Sequence, residues 1–116
     1  MTDKSTLSYL YALADGDKRF VTEILDLMIK NIPIDIVSID KAISDNDLQQ
    51  MRRNAHHMKS SIQYSNDLEL SELLAVIENK KDSSSAVAEA GVLLPQLKEL
   101  SNKLLEVLLT EKKKIG

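Results

Sequence analysis

Leu48-Gln49-Gln50-Met51-Arg52-Arg53-Asn54-Ala55-His56-His57-Met58-Lys59-Ser60-Ser61-Ile62 is the stretch that decides how this chain folds. Its apolar residues, Leu48, Met51, Ala55, Met58 and Ile62, are spaced by 3, 4, 3 and 4. That spacing lines them up on one stripe of an α-helix and leaves Gln, Arg, His, Lys and Ser on the remaining surface. A half-buried β-strand needs alternation at every second residue, and the stretch shows none. A helix with one apolar face needs neighbouring helices to cover it.

Those neighbours can be read on both sides. Ser44-Asp45-Asn46-Asp47 is a cluster of capping residues that starts the helix. Before it runs a helix with Phe20, Ile24, Leu27 and Met28 on its stripe, widened by Val21, Leu25 and Ile29. Pro33 removes a backbone donor, so a break near Asn31 is expected, with Ile34 to Ile43 as a restarted segment. Asp15-Gly16-Asp17 separates this helix from a short first one with Leu7, Leu10, Tyr11 and Ala14 inward and Ser5 or Thr6 as cap. Downstream, Asn66-Asp67-Leu68-Glu69 reads as a capping box for a fourth helix that turns Leu70, Leu73, Leu74 and Ile77 inward. Lys80 to Ser85 is the one linker-like stretch, and its lysines suit a helix C-terminus. The last helix shows Ala86, Ala90, Leu93, Leu97, Leu100, Leu104 and Val107 in 4-3 alternation, with Gly91 and Pro95 expected to bend or weaken its first half. Such a heptad stripe also serves coiled coils between chains, but a bundle core uses the same packing. Helices joined by short loops pack antiparallel. The expected fold is all-α: an up-down-up-down four-helix bundle with a short extra N-terminal helix, residues 1–116 forming a single domain.

Composition agrees and narrows the function. At 116 residues and 43% hydrophobic the chain can bury one core, and three Gly, two Pro and four aromatics leave few helix breakers. Without cysteine there is no disulfide framework, no thiolate metal site and no Cys nucleophile. Fifteen basic against 18 acidic residues give a net charge of −3, the wrong balance for a general nucleic-acid binder. No apolar run approaches the ~18–20 residues of a membrane span, and no signal h-region follows Met1. A freestanding cytoplasmic protein, expected to be a monomer, is the plain reading.

Both histidines of the chain lie in the deciding stretch. At ~100° per residue, His56 points about 120° from the apolar stripe and His57 about 140° away on the other flank. Gln49, Arg52, Lys59, Ser60 and Gln63 lie beside His56, whereas Gln50, Arg53, Asn54 and Ser61 flank His57. A metal site is poorly served, because neighbouring helical positions diverge and cations surround both rings. A hydrolase base lacks an orienting carboxylate on its own face and a glycine-rich oxyanion loop. Two solvated histidines on a polar face are the bland reading. A surface imidazole among cations and small polar residues also suits a phosphoryl acceptor. Arg52 and Lys59 disfavour protonation of the ring and then pair with phosphoryl oxygens.

At Ala55-His56-His57-Met58-Lys59-Ser60-Ser61 the sequence resembles the histidine-containing phosphotransfer (HPt) domains of multistep two-component phosphorelays. Their hallmark is an Ala-His-x-hydrophobe-Lys-Gly run, followed by small residues, inside a bundle helix. The lysine three residues on sets the register on His56, and His57 falls on the variable position. Leu13-Ala14-Asp15-Gly16-Asp17 looks like the family's entry to its second helix, and Asp47 to Arg53 like its approach to the phosphorylated helix. Leu70, Leu73, Ile77 and Glu78 fit the spacing downstream, while the last helix matches in general character only. The family's glycine after the lysine is Ser60 here, and a second glycine ten residues past the histidine is Asn66, the non-glycine residue best able to adopt φ > 0.

The resemblance implies a phosphorelay intermediate that takes a phosphoryl group from the phosphoaspartate of one receiver domain and passes it to another. It implies His56 as acceptor, Lys59 as electrostatic clamp and Ser60 as the small neighbour that admits in-line approach. With only Gly16, Gly91 and Gly116 available, no phosphate-binding loop is present, so no ATP-dependent kinase activity is expected. Neither cofactor nor metal is expected on this chain; the acidic Mg²⁺ site belongs to the partner. Partners are receiver domains and a hybrid sensor kinase, docked by resemblance on an apolar patch with Leu10, Leu13, Phe20 and Ile24, together with Arg52 and Gln63. The alternative is a helical adaptor that binds receivers or kinases without accepting phosphate.

Overall fold

The computed structural model describes the backbone of residues 2–115 and the side chains of residues 7–115. Five α-helices follow in order: α1 (Thr2–Ala14), α2 (Lys18–Ser44), α3 (Leu48–Ser61), α4 (Leu68–Glu78) and α5 (Ala86–Ile115). A 3-10 turn over Gln63–Ser65 joins α3 to α4, and no strand occurs among the described residues.

Aspartates begin three of these helices. Asp17, Asp47 and Asp67 each accept a hydrogen bond from the backbone N–H three residues on, at Phe20, Gln50 and Leu70. Each bond satisfies a donor that the helix itself leaves unpaired. The residue before each cap has positive φ: Gly16 at 88°, Asn46 at 53° and Asn66 at 54°. Asn66 therefore does take the left-handed conformation. Because Asp67 caps α4, Glu69 sits one position short of a capping-box acceptor, and a simple aspartate cap replaces the expected box. At the N-terminus α1 starts at Thr2, so Ser5 and Thr6 lie within the helix instead of capping it, and their side chains are outside the described residues.

The helices pair antiparallel. Asp26 and Asp40 of α2 meet Lys112 and Lys98 of α5, so residue numbers rise in one helix as they fall in the other. Asn54 Nδ2 of α3 likewise donates to the Ser38 carbonyl of α2, across a short hairpin. The core runs through Val21, Leu25, Met28, Ile32 and Ile39, through Met51, Ala55, Met58 and Ile62, and through Leu70, Leu74 and Ile77. Leu97, Leu100, Leu104 and Leu108 of α5 close it. The result is the four-helix bundle α2–α5, with α1 laid over α2 and the 3-10 turn through Leu7, Leu10 and Ala14.

Three local expectations are corrected. α2 is one helix of 27 residues that passes through Pro33 with no break at Asn31; α5 likewise runs for 30 residues through Gly91 and Pro95, which the expectation of a bend without a break allows. Each proline forfeits one backbone hydrogen bond and sits exposed, while apolar packing on both sides of it keeps the helix together. Gly91 faces Ile43 of α2, whose Cγ2 lies 3.4 Å from where a Cβ would stand. Finally, the α2 stripe centres on Val21, Leu25 and Met28, which leaves Leu27 exposed. Tyr11 is exposed as well, and its hydroxyl donates to the Glu111 carboxylate of α5.

Candidate functional site

α3 buries Met51, Ala55 and Met58 completely, and this anchoring turns His56 and His57 outward, with side chains 62% and 64% exposed. The surface placement expected for both rings is what the bundle imposes.

The neighbouring helices supply what α3 lacks. His56 Nδ1 lies 2.6 Å from Oε2 of Glu78, the last residue of α4. The other oxygen of that carboxylate, Oε1, pairs with Lys59 Nζ at 2.6 Å. Arg52 Nε donates to the Glu78 main-chain carbonyl at 3.1 Å, a favourable place for a cation because the negative end of a helix dipole is there. Glu78 thus joins three side chains of α3 spaced at helical intervals. Lys59, then His56, holds its carboxyl below the usual range, against an opposing effect of burial. An ionised carboxylate accepts and does not donate, so Nδ1 of His56 carries a proton, and in the neutral ring the lone pair is then on Nε2. Beside it opens a basin of about 310 Å³ lined by Gln49, Arg52, Arg53, His56, Glu78 and Asn79.

On the other flank His57 Nδ1 lies 2.9 Å from Asp35 Oδ1 of α2. Asp35 is 5% exposed, and burial pushes its carboxyl up, partly offset by His57 and Ser61. Ser61 Oγ donates to the His57 carbonyl at 3.0 Å. Among the described residues, no group of three or more His, Cys, Asp or Glu is placed to hold a metal ion.

The other candidate residues divide. Ser60 is exposed one turn from His56 on α3. Gln63 is exposed but lies in the 3-10 turn, off the face of α3, because the helix ends at Ser61 with Ile62 as its C-cap. Leu13 is 47% exposed, and Phe20 and Ile24 are half-buried on α2. Leu10 is fully buried: it is a packing residue, and its expected place on a docking surface is corrected. The orienting carboxylate that α3 lacks on its own histidine face comes from Glu78 of the adjacent helix α4. Sequence spacing marks Glu78 without giving it a role, and it gives Asp35 no part in the site. A charged residue between Ile32 and Ile39 on an apolar stripe was the available signal.

No helix of the described chain is long and apolar enough to cross a membrane. A family model described as the Hpt domain matches residues 23–111, from the first turns of α2 to the last turns of α5. No curated protein and no solved structure matches the chain.

Proposed function

We propose that this chain, which belongs to the Hpt domain family of two-component phosphorelays, carries its phosphoryl group on Nε2 of His56. Family membership gives the coarse role, histidine phosphotransfer without kinase activity, and receiver domains and kinases as the class of partner. The observation that carries the finer assignment is the hydrogen bond from His56 Nδ1 to Glu78, which fixes the tautomer and aims the remaining lone pair outward.

In the proposed step the Nε2 lone pair attacks the phosphorus of a receiver aspartyl phosphate. The N–P bond forms as the P–O bond to the aspartate breaks, and the leaving electron pair departs on the partner's carboxylate. Nδ1 keeps its proton on Glu78. Lys59 and Arg52 stand one turn from His56 on its α4 side and offset the incoming charge. Ser60 leaves room for in-line approach. Leu13, Phe20 and Ile24, together with Arg52 and Gln63, are our candidates for partner docking. The carrier is read as a cytoplasmic monomer that receives phosphate from a hybrid sensor kinase's receiver and delivers it to another receiver.

The test is incubation with a radiolabelled phosphorylated receiver. Label that is acid-labile and alkali-stable, lost in His56→Gln and largely kept in His57→Gln, is the expected result. The reverse pattern removes His56 from the mechanism. Binding to receivers with no label on any variant supports the adaptor instead.

A further inference from the structure

His57 and Asp35 take no part in the chemistry at His56, yet they repeat its construction. α3 is written in doublets: Gln49-Gln50, Arg52-Arg53, His56-His57 and Ser60-Ser61. One member of each doublet falls on each of two adjacent helix faces, with Arg one turn before the histidine and Ser one turn after. On each face a carboxylate from another helix holds Nδ1, Glu78 for His56 and Asp35 for His57. Both rings are exposed to the same degree, so His57 also presents Nε2 to solvent. Asp35 occupies a slot on the α2 stripe where an apolar side chain would pack, and its Oδ2 is buried without a hydrogen-bond partner. An acidic group there costs stability. Helix pairing alone does not require it, since Asn54 already joins α3 to α2.

We propose that His57 is a second phosphoryl acceptor, oriented by Asp35 and filled at Nε2 by small donors of the acyl phosphate class. The proposal shares the imidazole chemistry assigned to His56 but rests on different residues. The Nε2 lone pair forms the N–P bond, the acyl P–O bond breaks, and the electron pair leaves on the donor's carboxylate while the Nδ1 proton stays bonded toward Asp35. A receiver docked in line with His56 is turned by about 100° from His57, which favours a donor small enough to approach alone. The residue three past His57 is Ser60, not a lysine, so this face fills more slowly and loses phosphate faster than His56.

The experiment treats His56→Gln, His56→Gln/His57→Gln and His56→Gln/Asp35→Asn proteins with acetyl phosphate, and in a parallel arm with a phosphorylated receiver. Alkali-stable label is mapped by mass spectrometry, and circular dichroism checks folding. Label on His57 from acetyl phosphate in His56→Gln is expected, absent in the first double variant. It should fall roughly threefold in the second, because Asn keeps an oxygen that accepts from Nδ1 but loses the charge. No label on His57, or a rate that Asp35→Asn leaves unchanged, overturns the proposal. Label from the receiver alone overturns the small-donor source. Failure of the His56 assignment is a separate result, seen as receiver-driven transfer in His56→Gln that is as fast as in the parent protein.

Discussion

Replacing Glu78 with alanine removes two contacts from the site in one step, the 2.6 Å hydrogen bond to His56 and the 2.6 Å ion pair to Lys59. The main-chain carbonyl that binds Arg52 stays. A hydrogen bond to a charged group contributes ~1.5–3 kcal/mol, and His56 is open enough to solvent to put this one at the lower end. At ~1.4 kcal/mol per factor of ten, transfer from a phosphorylated receiver should slow about tenfold, because the ring then divides its time between tautomers and orientations. Glu78→Gln keeps an oxygen that accepts from Nδ1 but loses the charge, so a loss of about threefold is expected. Rapid-quench measurement of labelled phosphate leaving the receiver reads both values, and circular dichroism confirms the bundle. The opposing effect is electrostatic: without the carboxylate, Lys59 is free to meet the phosphoryl group and the local charge is more positive. If Glu78→Ala transfers as fast as the parent, or faster, ring orientation is not what Glu78 supplies.

Lys59→Ala should shorten the phosphohistidine lifetime and slow transfer while the helices persist, by the ~1–3 kcal/mol of a charge-assisted contact; unchanged kinetics would make Lys59 only a partner of Glu78. Ser60→Gln should obstruct the incoming aspartyl phosphate without unfolding α3, and Ser60→Gly should keep or raise the rate at ~1 kcal/mol of helix stability, both read by transfer assay and thermal melt. Stability against pH should show two opposite signs. Glu78 has a lowered pKa, so its contribution is present above its ordinary value and lost as pH falls through the folded one. Asp35 has a raised pKa, so its contribution is present below its ordinary value and lost as pH rises through the folded one. Melts between pH 3 and 7, a range of roughly four units that spans ordinary carboxylate values, should lose the first dependence in Glu78→Gln and the second in Asp35→Asn.

What the sequence made legible is local. The stripe Met51, Ala55, Met58 and Ile62 is fully buried as its spacing requires, and aspartates stand at the head of three helices because their side chains reach the N–H three residues on. The polar back of that stripe faces solvent, and so the two histidines were placed correctly. Pro33 misled because a rule about one lost hydrogen bond says nothing of the packing on either side of it. Leu10 misled in the opposite sense: the apolar surplus of the first two helices was real, but part of it covers the 3-10 turn from above. Periodicity marks Asp35 as a charge on an apolar stripe but gives neither Asp35 nor Glu78 its histidine, since each reaches it across 22 residues of chain. Only the pairing of α2 and α4 against α3 brings them there.

The most direct measurement is nitrogen-15 NMR of histidine-labelled protein after phosphorylation by a receiver. The account predicts phosphate on Nε2 of His56, with Nδ1 still protonated and hydrogen-bonded to Glu78. Phosphate on Nδ1 of His56 would contradict it, because that nitrogen is the one the fold has already engaged, and receiver-derived phosphate found on His57 alone would contradict it equally.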